Sequence, residues 1–270
     1  INKVPTFDGS TSTHPTDLYY AEYTGDFLPE LFYGRFSANS ASQMTAIVNK
    51  TVNYEKYAFE NDEWLNRIML VAGKETASPA PTCVNGQMNY VKQYFTNLDT
   101  AIYYNPESGN KASEIKQKLN NGYAWINYSA HCDEEGWQSP SLTRSNVSAM
   151  TNTGMCGVWL NNCCLSGKYD ASECFTEKLL RLENKVAVAV IGSSNYTYWN
   201  EDFYWSVGAK DIVLEPSYIA SALGSYDRMF HTHGESFDKW YTTIGQTVQA
   251  GNLAVDLANS YLKNYYWEVY

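Results

Sequence analysis

The chain is poor in basic residues. It has 19 Lys and Arg against 29 Asp and Glu, a formal charge of −10. Phosphate binding needs a basic surface, so nucleic acid is excluded as a partner. An acidic field favours cationic substrates instead. No stretch approaches the ~20 apolar residues of a membrane helix, so no membrane span is expected. No signal peptide opens the chain. Ile1 is not a start residue, and the sequence reads as a processed or trimmed piece. C-x-x-C zinc spacing is absent, as are internal repeats and low-complexity linkers. Histidine is scarce, with only His14, His131, His231 and His233.

What is present is enough for a substantial core. The 270 residues are 44% hydrophobic and 15% aromatic, with 23 Tyr and 8 Trp. That length suits one large α/β domain or two small ones, and the aromatic content leans toward an extracellular protein. The six cysteines are Cys83, Cys132, Cys156, Cys163, Cys164 and Cys174. Three follow or interrupt predicted strands, and adjacent cysteines seldom bond to each other. Free, buried or catalytic thiols are therefore expected rather than a disulfide framework.

Two runs organise the sequence. Residues 125–131 (WINYSAH) and 158–164 (VWLNNCC) are apolar, β-rich stretches that each stop at a reactive residue. As neighbouring parallel strands they would bring His131 and Cys164 out together at their carboxyl ends, where open α/β sheets carry their chemistry. Further strands are expected at 17–23, 31–36, 67–72, 101–104 and 186–191. Helices are expected at about 40–57, where Met44, Ile47, Val48 and Thr51 share a face, and at 86–98, 113–121, 146–151 and 172–184. The aromatic stretch 196–205 reads as a loop. Strand and helix alternation of this kind predicts a mostly parallel sheet with helices on both faces.

A thiol and an imidazole at one sheet edge are the minimum set for nucleophilic acyl transfer. Cys164 ends its run before Leu165-Ser166-Gly167, where the turning backbone can aim an N–H at a substrate carbonyl. Cys156, Cys163 and Cys174 read as small buried hydrophobes. Glu75 also sits at a strand's carboxyl end. A metal site at residues 131–135 suits zinc poorly, since no second His has ligand spacing. His231-x-His233 reads as a surface loop. Asp26 and Glu30, four apart in a turn, can wrap calcium or be a solvated acidic turn. Asp202 lies between Trp199 and Trp205. A carboxylate there is costly unless a cation pairs with it, and a substrate Lys or Arg would supply one; an exposed loop acid is the plain alternative.

Residues 127–131 (NYSAH), 162–164 (NCC), 191–194 (IGSS) and 198–208 (YWNEDFYWSVG) together resemble the gingipains, caspase-clan cysteine peptidases. The likeness runs from about Asp17 to the end and leans to the lysine-specific branch. It implies a caspase-like fold of two side-by-side subdomains, with residues 1–66 a truncated remainder of the first and 67–270 the second, catalytic one. It implies Cys164 as nucleophile, His131 as general acid/base, Glu75 assisting the His, and backbone N–H groups of Cys164 and Cys132 as the oxyanion hole. Asp202 matches the acid that binds the substrate lysine, with Tyr198, Trp199, Ser129 and Asn162 lining the pocket. Near Gly86, where arginine-specific members carry their own acid, there is none. Thr24, Asp26, Leu28, Glu30 and Glu177 match calcium ligands, with Thr24 standing where the family has an acid. Ser129 replaces a Thr, and Cys132 replaces the usual Gly after the His.

The resulting expectation is a secreted or surface-exposed bacterial endopeptidase cleaving after Lys, with no cofactor for catalysis and a structural calcium. Its partners would be protein or peptide substrates with Lys at P1 and an upstream segment or second chain completing the first subdomain. An arginine-preferring or mixed-specificity relative, or a non-catalytic adhesin, are the rivals.

Overall fold

A computed structural model describes residues 4–95, 97–230 and 233–270; His231 lies outside the described residues. In chain order the elements are β1 (Phe7–Asp8), β2 (Pro15–Thr16), α1 (Ala41–Glu55), β3 (Arg67–Ala72), α2 (Ala80–Tyr94), β4 (Asp99–Tyr103), α3 (Ala112–Leu119) and β5 (Trp125–Ser129). They continue with β6 (Cys132–Asp133), β7 (Gly136–Trp137), β8 (Leu142–Thr143), α4 (Arg144–Ser148), β9 (Gly157–Asn162), α5 (Phe175–Arg181) and β10 (Ala187–Gly192). The last are α6 (Trp199–Val207), α7 (Ser225–Phe230), α8 (Ile244–Leu257) and α9 (Lys263–Val269).

The described residues form two compact units that interleave in sequence. One comprises the residues up to Pro5, Arg35–Glu75 and Leu98–Tyr196; the other comprises Thr6–Gly34, Thr76–Asn97 and Thr197–Tyr270. Neither unit has a boundary at residue 66.

The first unit is built on a five-stranded, wholly parallel sheet in the order β10-β9-β5-β3-β4, with helices flanking it. The central strands are buried along nearly their whole length. Near-continuous apolar runs such as Ile68-Met69-Leu70-Val71-Ala72 are what a strand covered on both faces requires. Helix α1 is capped by Ser40, whose hydroxyl accepts from the Gln43 N–H. Its inward side is Ala46, Ile47 and Lys50. Of the four residues expected on that face only Ile47 is buried; Met44 and Val48 are exposed. A small antiparallel sheet, β6-β7-β8, follows β5.

The second unit holds α2, α6, α7, α8 and α9 and the β1–β2 ladder. The buried Trp205 indole donates to Asn252 Oδ1 at 3.0 Å, tying α6 to α8. Glu268 in α9 accepts from the Ser10 and Thr11 amides at 2.6 and 3.0 Å and from the Tyr19 hydroxyl. These bonds hold the chain's early residues against its last helix.

Four local expectations are corrected. Residues 17–23 form a short 3₁₀ turn at Leu18–Tyr20, and 31–36 form no strand. Helix α2 starts at Ala80, six residues before the expected position, because Pro81 falls in the first turn where a missing N–H costs nothing. The stretch 199–207 is a helix, with Glu201 and Asp202 in its first turn, where negative charge is favoured. Gly208, at a φ of 114°, ends it.

Candidate active site

Strands β5 and β9 run side by side in register, with Ser129 opposite Asn162. His131 and Cys164 therefore each lie two residues beyond a paired position, at the carboxyl edge of the sheet. Gly73, past the end of β3, donates its N–H to the Ser129 carbonyl at 3.0 Å. A side chain on Gly73 would collide with Ala130, so glycine lets the β3 end press against the His segment. Two residues on, Glu75 Oε2 lies 2.8 Å from His131 Nε2. The Glu75 amide donates to Asn105 Oδ1 at 2.8 Å, which fixes the turn that carries the carboxylate. His131 is about half exposed and Glu75 less so.

The His131 carbonyl accepts from the Tyr128 hydroxyl at 2.8 Å and the Gln138 amide at 3.1 Å. Tyr128 stacks on Trp137, and the Trp137 indole donates to Asn161 Oδ1 at 2.7 Å. Beyond β9 the chain turns sharply. Leu165, directly after Cys164, has a φ of 59°, unusual for a branched aliphatic residue. Its amide donates to the Asn195 carbonyl at 2.9 Å.

Cysteine usage departs from the expectation. Cys132 and Cys163 form a disulfide, with their Cα atoms 5.5 Å apart. Cys163 is thus not an inert thiol, and the chain is not disulfide-free. The bond joins the residue after His131 to the residue before Cys164, beyond the last register pair Ser129–Asn162. Of the four cysteines outside the bond, Cys164 is half-buried and the others are buried. Burial pushes the Cys83 and Cys174 thiols up to about 12 and Cys156 to about 11. Such thiols make poor nucleophiles at neutral pH.

In the second unit, Asp202 is buried in the first turn of α6, at 3% exposure. Its carboxylate accepts from the Thr197 hydroxyl and the Tyr266 hydroxyl, each at 2.8 Å. Desolvation dominates these bonds and raises its pKa to about 7. Tyr198, exposed, precedes the helix, and its amide donates to the Tyr266 oxygen. Trp199 opens α6.

The family model for peptidase family C25 matches residues 2–269. The chain belongs to peptidase family C25. It is 34% identical to Lys-gingipain of Porphyromonas gingivalis over 97% of its own length, and 26% identical to gingipain R2 of the same organism over 68%. The match to Lys-gingipain covers 15% of that relative, so the chain spans a small part of the curated relatives it matches. A solved structure described as a protease aligns with a TM-score of 0.86 at 32% identity, over 98% of this chain and 59% of that one. The crystal structure of the Arg-specific cysteine proteinase gingipain R aligns at 0.76 with 20% identity, over 95% and 57%. The fold of this C25 chain is therefore the gingipain, caspase-like one.

The acidic turn of this C25 chain gathers three carboxylates. Glu22, Asp26 and Glu30 each bring an oxygen within 4.8 Å of the others. Thr24 donates to Glu30 at 2.7 Å, and the Gly25 amide donates to Glu22. The Leu28 amide donates to Asp26 at 2.9 Å, which folds the turn over the group. An all-oxygen set fits a hard cation such as calcium. Glu22 was missed in the sequence because it precedes the window from 24 to 30; its spacing of four from Asp26 was the available signal. Glu177, also expected as a calcium ligand, belongs to the first unit. Its carboxylate accepts from Arg181 at 2.6 Å, from the Cys174 amide at 2.9 Å and from the Ser37 hydroxyl. It serves as a helix cap and buried ion-pair partner.

Proposed function

We propose that this chain is a cysteine endopeptidase that cleaves after lysine. The observation that carries the catalytic reading is the convergence of Glu75, His131 and the Cys164 turn at one sheet edge, with Glu75 2.8 Å from His131. Cys164 attacks the scissile carbonyl as the thiolate. With Nε2 engaged by Glu75, His131 passes a proton through Nδ1 to the leaving amine, the C–N bond breaks and a thioester forms. Water then loses a proton to His131, attacks the thioester and releases the acid product and the thiolate. Backbone N–H groups of Cys164 and Cys132 hold the oxyanion.

Asp202 supplies the counter-charge for the substrate ammonium. Its burial supports this, because a desolvated carboxylate gains most from a cation. Tyr198 and Trp199 supply aromatic surface for the lysine stem. The resemblance also assigns substrate recognition to Ser129, buried at the end of β5, and Asn162, buried at the end of β9. Helix α2, which carries Gly86, holds no carboxylate along its length, and this favours lysine over arginine. Glu22, Asp26 and Glu30, with Thr24 and Leu28, hold a structural calcium.

The location that fits is outside the bacterial cytoplasm. The Cys132–Cys163 disulfide suits an oxidising compartment. Among the described residues no helix is long and apolar enough to cross a membrane. Partners are proteins or peptides presenting lysine.

Paired fluorogenic peptides identical except for Lys or Arg at P1 test the reading. Lys-selective turnover that drops on Asp202→Ala supports it; equal or Arg-selective turnover overturns the specificity.

A further inference from the structure

The Cys132–Cys163 disulfide occupies the positions that flank the reactive pair. Cys132 follows His131, and Cys163 precedes Cys164. The β5–β9 register ends at Ser129 and Asn162. Beyond it the two segments take separate partners. The His131 carbonyl is held by Tyr128 and Gln138, on the side of the β6–β7 hairpin. Leu165, after Cys164, is held by Asn195. The disulfide carries the connection between the two strands past the last register pair, to the residues that touch His131 and Cys164 in sequence. Both of its cysteines are buried, at 4% and 0% exposure, whereas Cys164 is half-buried.

We propose that this disulfide is a positioning device for the catalytic pair: it sets the spacing of the His131 imidazole and the Cys164 sulfur, and its reduction loosens that spacing and slows turnover. The inference rests on the reading of His131 and Cys164 as that pair. Productive geometry in acyl transfer tolerates little displacement, and a shift of ~1 Å can cost on the order of a hundred-fold in rate. A glycine after the His would leave its segment free to rotate. A cysteine bonded across to the neighbouring strand removes that freedom and ties it to the nucleophile's own segment.

The arrangement makes the enzyme respond to reductants in two stages. A monothiol at modest concentration reaches Cys164 and keeps it reduced, because exchange depends on access. A dithiol that reaches the buried bond transfers two electrons and two protons to it. The Cys132–Cys163 bond breaks, two protein thiols form, and the reagent leaves as its own disulfide. Activity therefore rises with mild reductant and falls with strong reductant while Cys164 stays reduced throughout.

The test compares wild type with a Cys132→Ala, Cys163→Ala double variant. The readouts are kcat and KM on a lysine peptide and the pH profile of Cys164 alkylation by iodoacetamide. The expected result is a kcat at least ten-fold lower, a KM within two-fold, and an alkylation midpoint moved toward the free-thiol range of about 8.5. Wild-type kcat with an unmoved alkylation profile would overturn the proposal. If the double variant does not fold, the same readouts are taken on wild type after dithiol reduction, with loss of the bond confirmed by mass. If wild type cleaves neither peptide, the peptidase reading fails, and the alkylation profile alone decides the positioning claim: a shift on losing the bond supports it and no shift overturns it.

Discussion

Glu75 Oε2 and His131 Nε2 stand 2.8 Å apart, a carboxylate fixing one nitrogen of an imidazole and leaving the ring little freedom to rotate. Glu75→Gln keeps the shape and removes the charge that stabilises the imidazolium. Its kcat should fall by roughly ten- to a hundred-fold with KM little changed, as expected for a group that orients and supports a catalytic base. Steady-state kinetics on a lysine peptide checks this; an unchanged kcat would remove Glu75 from the mechanism.

Asp202 should impose a pH dependence on specificity. Its pKa is raised by burial to about 7, so on acidification the carboxylate takes up a proton and loses its attraction for an ammonium. The ratio of kcat/KM for a lysine peptide to that for a norleucine peptide should fall below about pH 7, by up to roughly ten-fold per unit. Taking the ratio cancels titration of the catalytic pair. The sign for stability follows from the same shift. The folded value lies above the ordinary 3.8, so the folded chain holds this proton more tightly than the unfolded one. The contribution is greatest below about pH 4 and is lost as pH rises through about 7. Asp202→Asn should therefore be more stable than wild type at pH 8 yet lose lysine preference. A variant that keeps its preference at either pH would refute the role.

The sheet and its reactive edge were legible in the sequence because both rest on local signals. Apolar runs that stop at Glu75, His131 and Cys164 declare buried parallel strands, and the observed register bears that out. The disulfide was not legible, since Cys132 and Cys163 lie 31 residues apart and meet only in the folded chain. Helix α6 was hidden by its aromatic density, although its first-turn acids and the closing Gly208 were visible signs of a helix. The stretches 17–23 and 31–36 pair with no strand among the described residues, so local strand character there yields a 3₁₀ turn and irregular chain instead.

The acidic turn should make stability depend on calcium. Chelation should lower Tm, and added calcium should restore it. Asp26→Asn combined with Glu30→Gln should abolish the response while leaving the apo-state Tm close to wild type or higher, because two like charges are removed. Thermal melts in chelator and in excess calcium measure this. Identical Tm values for wild type in both conditions would rule out the site.

Arg181 and Glu177 are buried, at 4% and 5% side-chain exposure, and paired at 2.6 Å. Arg181→Met leaves the Glu177 carboxylate buried without that cation and should cost about 3 to 5 kcal/mol in urea denaturation. Adding Glu177→Gln should recover part of the loss. Recovery would identify the cost as an uncompensated charge, and a further loss would identify it as packing.

The most direct test of the central claim is to label the protein with a lysine peptide bearing a thiol-reactive ketone in place of the scissile bond, then locate the adduct by peptide mass spectrometry. One adduct per chain, on Cys164 and absent from Cys83, Cys156 and Cys174, is the expected result, with Cys164→Ala neither labelled nor active. Labelling of another cysteine, or full turnover by Cys164→Ala, would contradict Cys164 as the nucleophile.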